Sequence, residues 1–208
     1  MFNHFIFEMM NQDNNIELFL PDDFHHHLRD GELLPNVVKF ASQSFDSVLV
    51  MPNIKPPVRT VTDAQQYLER IKNAYDQCNS EFPMPTFLMT LYLTDNTSPH
   101  DIKEVHESKN VVALKLYPAG ATTNSQDGIT SYDKIKPALE AMEKYGIPLL
   151  VHGEVTDHDV DIFDREAIFI ERVLKPILTK FPKLKVVMEH ITTKQAVEFV
   201  RNYPGNNL

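Results

Sequence analysis

Apolar residues along this chain gather in short runs, separated by longer stretches of helical periodicity. Six strand-like runs occur in order, over residues 23–27, 47–51, 86–93, 111–117, 147–152 and 184–190. Several are nearly continuous in Leu, Val and Met, the composition of parallel strands buried on both faces. A helix is predicted over residues 63–78, where Tyr67, Leu68, Ile71, Ala74, Tyr75 and Cys78 repeat at helical spacing. Thr62 and Gln65 stand there at capping-box spacing. A second helix opens at Ser98, with Pro99 in its first turn and Asp101 at the positive end of the dipole. Ile135, Ala138, Leu139 and Met142 mark a third, ended by Gly146. A long helix covers residues 164–180, with Pro176 as a kink or break. Thr192 and Gln195 open a final short helix, which Pro204 and Gly205 close.

Strand followed by helix, repeated, predicts an α/β protein with a parallel sheet. Two architectures fit: an open doubly wound sheet and a (β/α)8 barrel of the TIM type. The first needs a Gly-rich phosphate loop after its first strand. Leu28-Arg29-Asp30-Gly31 follows instead, so the barrel is favoured. With about six βα units, it is short of closure by two. The 208 residues read as one partial barrel domain. Residues 1–20 read as a loose extension or an outer packing segment. Lys55-Pro56-Pro57 and the small, polar stretch 118–128 are the main loop signals, and the second directly follows a strand. Barrel active-site loops occupy that position.

Composition narrows the field. Hydrophobic residues make up 42% of the chain, enough for a substantial core, and the formal net charge is -9. An acidic balance argues against nucleic-acid binding, but a local arginine in a pocket still accommodates an anionic substrate. The single cysteine, Cys78, has no internal disulfide partner, which points to a reducing compartment such as the cytoplasm. Its place on the apolar side of the helix over 63–78 suggests packing. No apolar run reaches the roughly 18 residues that a membrane span requires. The start of the chain lacks the basic region and cleavage site of a signal peptide.

Candidate chemistry falls at strand ends. His25 and His27 alternate with His26 along the first strand and so share one face. Pointing inward, they converge on a metal; pointing outward, the three form a solvated patch. His26 then faces away, as a structural residue. Lys115 lies within the apolar run Val111–Tyr117, where burial lowers an amine's pKa and a neutral amine can form a carbamate with carbon dioxide. The alternative is that Lys115 snorkels outward. His152 and His190 end the next two runs. Imidazole nitrogens and carboxylate oxygens suit zinc and similar divalent ions. Glu154 and Glu189 flank two of these histidines, either orienting an imidazole or lying on the surface. His4, His100, His106 and His158 read as surface or structural. Arg29, with a fork suited to a carboxylate, and Asn53, at the end of the second strand, are candidate substrate contacts.

The ordered set resembles dihydroorotases of the shorter, monofunctional type. It comprises Asp22-Asp-Phe-His-His-His-Leu-Arg-Asp-Gly31, Met51-Pro-Asn53 with Pro56-Pro57, and Lys115-Leu-Tyr-Pro118. Ala121-Thr-Thr-Asn124, Val151-His-Gly-Glu-Val155 and Glu189-His-Ile-Thr-Thr193 complete it. The resemblance implies an amidohydrolase barrel with two divalent metals, usually zinc. By motif, His25 and His27 bind one metal, Lys115 as its carbamate bridges both, and His152 with His190 binds the second. Arg29 and Asn53 hold the substrate carboxylate, and the loop carrying Thr122 and Thr123 closes over it. The implied reaction is reversible cyclisation of N-carbamoyl-L-aspartate to L-dihydroorotate in pyrimidine synthesis. The implied partners are these small molecules, with a homodimer allowed and no membrane or nucleic acid.

The resemblance also implies an aspartate at the end of an eighth strand, binding the first metal and moving a proton. The chain stops at Leu208, after the sixth unit, so this general base is expected to be absent and residues 1–208 alone to turn over little or nothing. Two other readings stay open. One is a related cyclic amidohydrolase of hydantoinase or allantoinase type, against which the Arg29–Asn53 pair and the threonine loop argue. The other is a non-catalytic remnant that binds a partner.

Overall fold

The computed structural model describes residues 6–11 and 14–208. Two short strands, β1 (Ile6–Asn11) and β2 (Asn14–Phe19), pair antiparallel, with Ile6 opposite Phe19. The sequence reading expects only an extension or packing segment there. His4 lies outside the described residues.

The main sheet then begins. Its strands are β3 (Asp23–His26), β4 (Ser47–Val50), β5 (Thr86–Leu93), β6 (Val111–Leu116), β7 (Leu149–His152) and β8 (Val186–Glu189). They stand in chain order, β3-β4-β5-β6-β7-β8. All six predicted runs form, each with ends within two residues of the expected limits. Chain-order strands joined by helices are the pattern of a (β/α)8 barrel, here with six of its strands. The chain divides into two compact units, one running to Val50 and including Leu68–Leu88, the other comprising Met51–Tyr67 and Met89–Leu208. In the first, β3 and β4 pair in parallel. In the second, β6 lies parallel between the end of β5 and β7, and β7 continues the parallel pairing to β8. Register there sets Tyr92 beside Lys115, Lys115 beside Leu150, and His152 beside Glu189. Leu91, Leu93, Leu114, Leu116, Leu149 and Val151 are buried along these strands, as a sheet covered on both faces requires.

The helices are α1 (Leu34–Ser44), α2 (Val61–Gln77), α3 (Pro99–Glu107), α4 (Tyr132–Tyr145), α5 (Arg165–Phe169), α6 (Lys175–Lys180) and α7 (Lys194–Asn202). The sequence reading did not single out α1, which has a proline in its first turn and buries Val38 and Ala41. In α2 the cap differs from the expected Thr62–Gln65 pair. Thr60 Oγ1 accepts from the Asp63 N–H, and Asp63 Oδ2 accepts from the Thr60 N–H, so the box sits two residues earlier. Cys78 lies just beyond α2, partly exposed, with its thiol donating to the Tyr75 carbonyl. Ser98 caps α3, as expected, and with Asp101 forms a reciprocal capping box that the sequence reading did not name. Gly146 ends α4 at φ 70°.

The long helix over 164–180 does not break at Pro176, since its helical segments run on without a gap. Its middle, Ile170–Leu174, widens into a π-turn, and α6 follows directly. Proline has no N–H to offer the carbonyl four residues back, and its ring crowds that carbonyl; one wider turn relieves both problems. In α7 the N-cap is Thr193, one residue later than expected.

One polar junction carries a pH prediction. Asp95, just past β5, accepts from the Thr130 N–H at 2.8 Å, the Thr130 hydroxyl at 2.6 Å and Lys134 Nζ at 2.7 Å. Burial raises its pKa, but the bonds from Lys134 and Thr130 outweigh this and bring it from 3.8 to about 2. A depressed carboxylate stabilises the fold fully above its unfolded pKa, and that contribution is lost as pH falls from about 4 to about 2. Asp95→Asn is therefore expected to cost about 1–2 kcal/mol at neutral pH and to shrink the stability difference from the parent below pH 4. Urea unfolding at pH 7 and pH 3 checks this; an unchanged difference at both would contradict it.

Candidate metal centre

The first unit presents two imidazoles face to face. His25 and His27 project from the end of β3 with their Nε2 atoms 3.2 Å apart and rings at 73°. His26 points the other way, with Nδ1 2.7 Å from Asp23 Oδ2 and its ring edge against Phe45. Burial raises the Asp23 carboxyl, while bonds from His26 and the His25 N–H lower it; the net direction is down. That contact holds the β3 backbone so that its odd-numbered histidines share the opposite face. Arg29, two residues on, has a left-handed backbone at φ 63° and a half-buried side chain.

In the second unit Lys115 is wholly buried near the end of β6. Its ammonium donates to Glu189 Oε2 at the end of β8, and its Nζ lies 5.2 Å from the Tyr117 ring centre. Burial pushes the Lys115 amine below its ordinary pKa, and Glu189 only partly offsets this by favouring the charged form. The lysine therefore does not snorkel to solvent. His152 and His190, from the ends of β7 and β8, stand with ring centres 4.8 Å apart at 61°. Glu189 and His190 also bring ligand atoms within 4.8 Å of one another. Glu154 Oε2 is 3.6 Å from His152 Nε2, beyond hydrogen-bond length.

The residues expected to meet substrate are organised by a loop. From Tyr117 the chain turns back on itself: the Ile129 N–H donates to the Tyr117 carbonyl and the Ala119 N–H to the Ile129 carbonyl. Buried Ser125 closes the tip, accepting from the Thr122 N–H at 2.8 Å and donating to the Thr122 carbonyl at 2.6 Å. Asn53, only 3% exposed, donates from Nδ2 to the Thr123 carbonyl, and Asn124 Nδ2 donates back to the Asn53 carbonyl. Asn53 and the Thr122–Thr123 loop are thus in contact before any substrate arrives. Tyr92 adds a hydrogen bond from its hydroxyl to the Asn124 carbonyl. Burial holds the Tyr92 phenol well above its ordinary pKa, so it remains a donor.

His100 and His158 are exposed, and His106 stacks on Tyr145. One residue the sequence reading missed is Glu166, buried in α5 and bonded to Thr192 and Thr193. A signal existed: Glu166, Phe169, Ile170 and Val173 follow the apolar helical spacing, so a carboxylate occupies a core position.

The donor chemistry fits a divalent ion. Ligand atoms 2.0–2.1 Å from a tetrahedral ion lie about 3.3–3.4 Å apart, close to the His25–His27 nitrogen separation. Strand-end imidazoles and a buried amine on a partial β/α barrel place this chain in the class of barrel proteins with a candidate metal site at strand C-terminal ends. More particularly, the chain belongs to the amidohydrolase family, whose model matches residues 22–203. That family is metal-dependent. The chain is 55% identical over 193 residues to a dihydroorotase of Laribacter hongkongensis, covering 93% of this chain and 55% of the relative. It is 53% identical to one from Ruegeria sp., covering 88% and 51%. A dihydroorotase crystal structure from Campylobacter jejuni superposes with a TM-score of 0.79 at 35% identity, covering 98% of this chain and 55% of that one. An L-hydantoinase from Arthrobacter aurescens, at 14% identity and TM-score 0.64, shares the fold alone. The chain spans about half the length of the curated relatives it matches. Among the described residues, no helix is long and apolar enough to cross a membrane.

Proposed function

We propose that this chain carries the metal-binding part of a dihydroorotase, which interconverts N-carbamoyl-L-aspartate and L-dihydroorotate. The observation that carries the reading is Lys115: a lysine with no solvent exposure, its amine pushed toward the neutral form, on the strand next to the one that ends in His152. A neutral amine adds carbon dioxide and releases one proton, giving an anionic carbamate able to bridge two cations. His25 and His27 would hold one divalent ion, Lys115 as carbamate would bridge, and His152 with His190 would hold the second; the nitrogen-rich set favours zinc. Such ions, when bound, supply Lewis acidity and lower the pKa of water enough for nucleophilic attack near neutral pH.

The chain's own residues do the rest. The Arg29 guanidinium and Asn53 Nδ2 offer donors to a substrate carboxylate. Asn53 Nδ2 carries two hydrogens, so it can keep its bond to the Thr123 carbonyl and offer the second to the carboxylate, which ties bound substrate to the loop. Thr122 and Thr123, on that loop, then cover the substrate and keep water out. Small anionic substrates of pyrimidine synthesis suit a cytoplasmic protein, and a homodimer is the assembly proposed.

The test is metal analysis of the purified protein, with binding of L-dihydroorotate measured against hydantoin. Two divalent ions per chain and a clear preference for dihydroorotate are expected. Protein without retained metal, or one preferring hydantoin, would overturn the assignment.

A further inference from the structure

Glu166 is buried, at 5% exposure, in α5, and its carboxylate is spent on the segment that follows β8. Oε1 accepts from the Thr192 N–H at 3.0 Å, and Oε2 accepts from the Thr193 N–H at 2.9 Å and the Thr193 hydroxyl at 2.6 Å. Both oxygens are therefore engaged by residues two and three places after His190. The Thr193 hydroxyl passes the connection on, accepting from the Ala196 N–H in the first turn of α7. A carboxylate at that helix end is also favoured by the dipole.

His190 itself has φ 40°, a left-handed conformation that costs a non-glycine residue on the order of 1–3 kcal/mol unless its surroundings enforce it. The backbone on one side of His190 is fixed by β8, which ends at Glu189. On the other side it is fixed by Glu166. The chain must turn sharply between these two anchors, and His190 is where it turns.

We propose that Glu166 is a positioning residue for His190: by clamping Thr192 and Thr193 it forces the left-handed turn that aims this imidazole toward His152. The inference rests on the metal-centre reading above and deepens it. The hydrogen bonds of Glu166 go to Thr192 and Thr193, not to either imidazole. Glu166 acts through the backbone, in the way that groups behind a ligand set that ligand's orientation and hence metal affinity.

The alternative is that Glu166 only caps α7 and contributes to stability. Cobalt(II) titration of the metal-free protein, followed by the visible absorption of the bound ion, separates the two. Glu166→Ala and Glu166→Gln are expected to weaken cobalt binding by about tenfold or more and to alter the band shape, because the imidazole geometry changes. Glu166→Asp, which keeps two acceptor oxygens, is expected to recover part of both. Ile102→Ala, a core change in α3, serves as the stability control and is expected to unfold more easily while binding cobalt normally. Unchanged cobalt affinity and spectrum in Glu166→Ala would overturn the proposal. So would an equal loss of affinity in Ile102→Ala. If the unsubstituted protein takes up no cobalt, the metal-centre reading itself fails, a result distinguishable from failure of the positioning role alone.

Discussion

Exchanging Lys115 for methionine is expected to destabilise the protein by about 3–5 kcal/mol, measured by urea unfolding in the presence of a chelator. Methionine matches much of the lysine stem and leaves little cavity. The cost arises elsewhere: the Glu189 side chain is only 5% exposed and loses the ammonium that neutralises it. A carboxylate left in that position must be protonated or draw water inward. Breaking a buried pair from one side is expensive for this reason, whereas removing both charges is close to neutral. The double variant Lys115→Met with Glu189→Leu should therefore regain most of the loss. If single and double variants are equally unstable, the pair is not the source of the penalty. If Lys115 forms the carbamate proposed above, the same single variant, assayed without chelator, should also hold less divalent metal than the parent, since methionine forms none.

The second large effect concerns the loop. Gly128→Ala is expected to cost about 3 kcal/mol and to loosen residues 118–128, seen as faster amide exchange there. A Cβ at Gly128 would fall inside the contact limit of the Tyr117 carbonyl oxygen, 2.9 Å from the Ser125 carbonyl oxygen and 3.0 Å from the Ala119 nitrogen. All three are backbone atoms that also carry the loop's own hydrogen bonds, so none can step aside cheaply. Gly120 makes the comparison. Its φ of 77° is left-handed, but an added Cβ meets nothing within 4 Å. Gly120→Ala should therefore cost only about 1 kcal/mol, the conformational penalty alone. Equal effects at the two positions would mean that the close approach at Gly128 is not what holds the loop.

Strand order was legible because near-continuous Leu, Val and Met runs separated by helical periodicity admit few arrangements, and parallel pairing in chain order is the simplest of them. Register was not legible. Apolar runs of this kind slide past one another without changing which residues look buried, so the alignment of Lys115 with Leu150, or of His152 with Glu189, depends on sheet packing. Cap positions shifted for a related reason. Thr60 and Asp63 do what Thr62 and Gln65 could have done, because several nearby residues satisfy the same local pattern and tertiary contacts choose among them.

By itself the sequence determined the fold class, the alternation that puts His25 and His27 on one face, and the presence of a lysine where lysines are costly. These follow from local periodicity and from the chemistry of side chains, and neither needs a distant partner. Only the tertiary structure decided that Glu189 pairs with Lys115, that Asn53 holds the Thr123 loop, and that Glu166 reaches Thr192 and Thr193. Those pairs are 74, 70, 26 and 27 residues apart in the chain. Hydrogen bonds of that kind are short-ranged and directional, so they exist only after the sheet and its helices have brought the partners within about 3 Å.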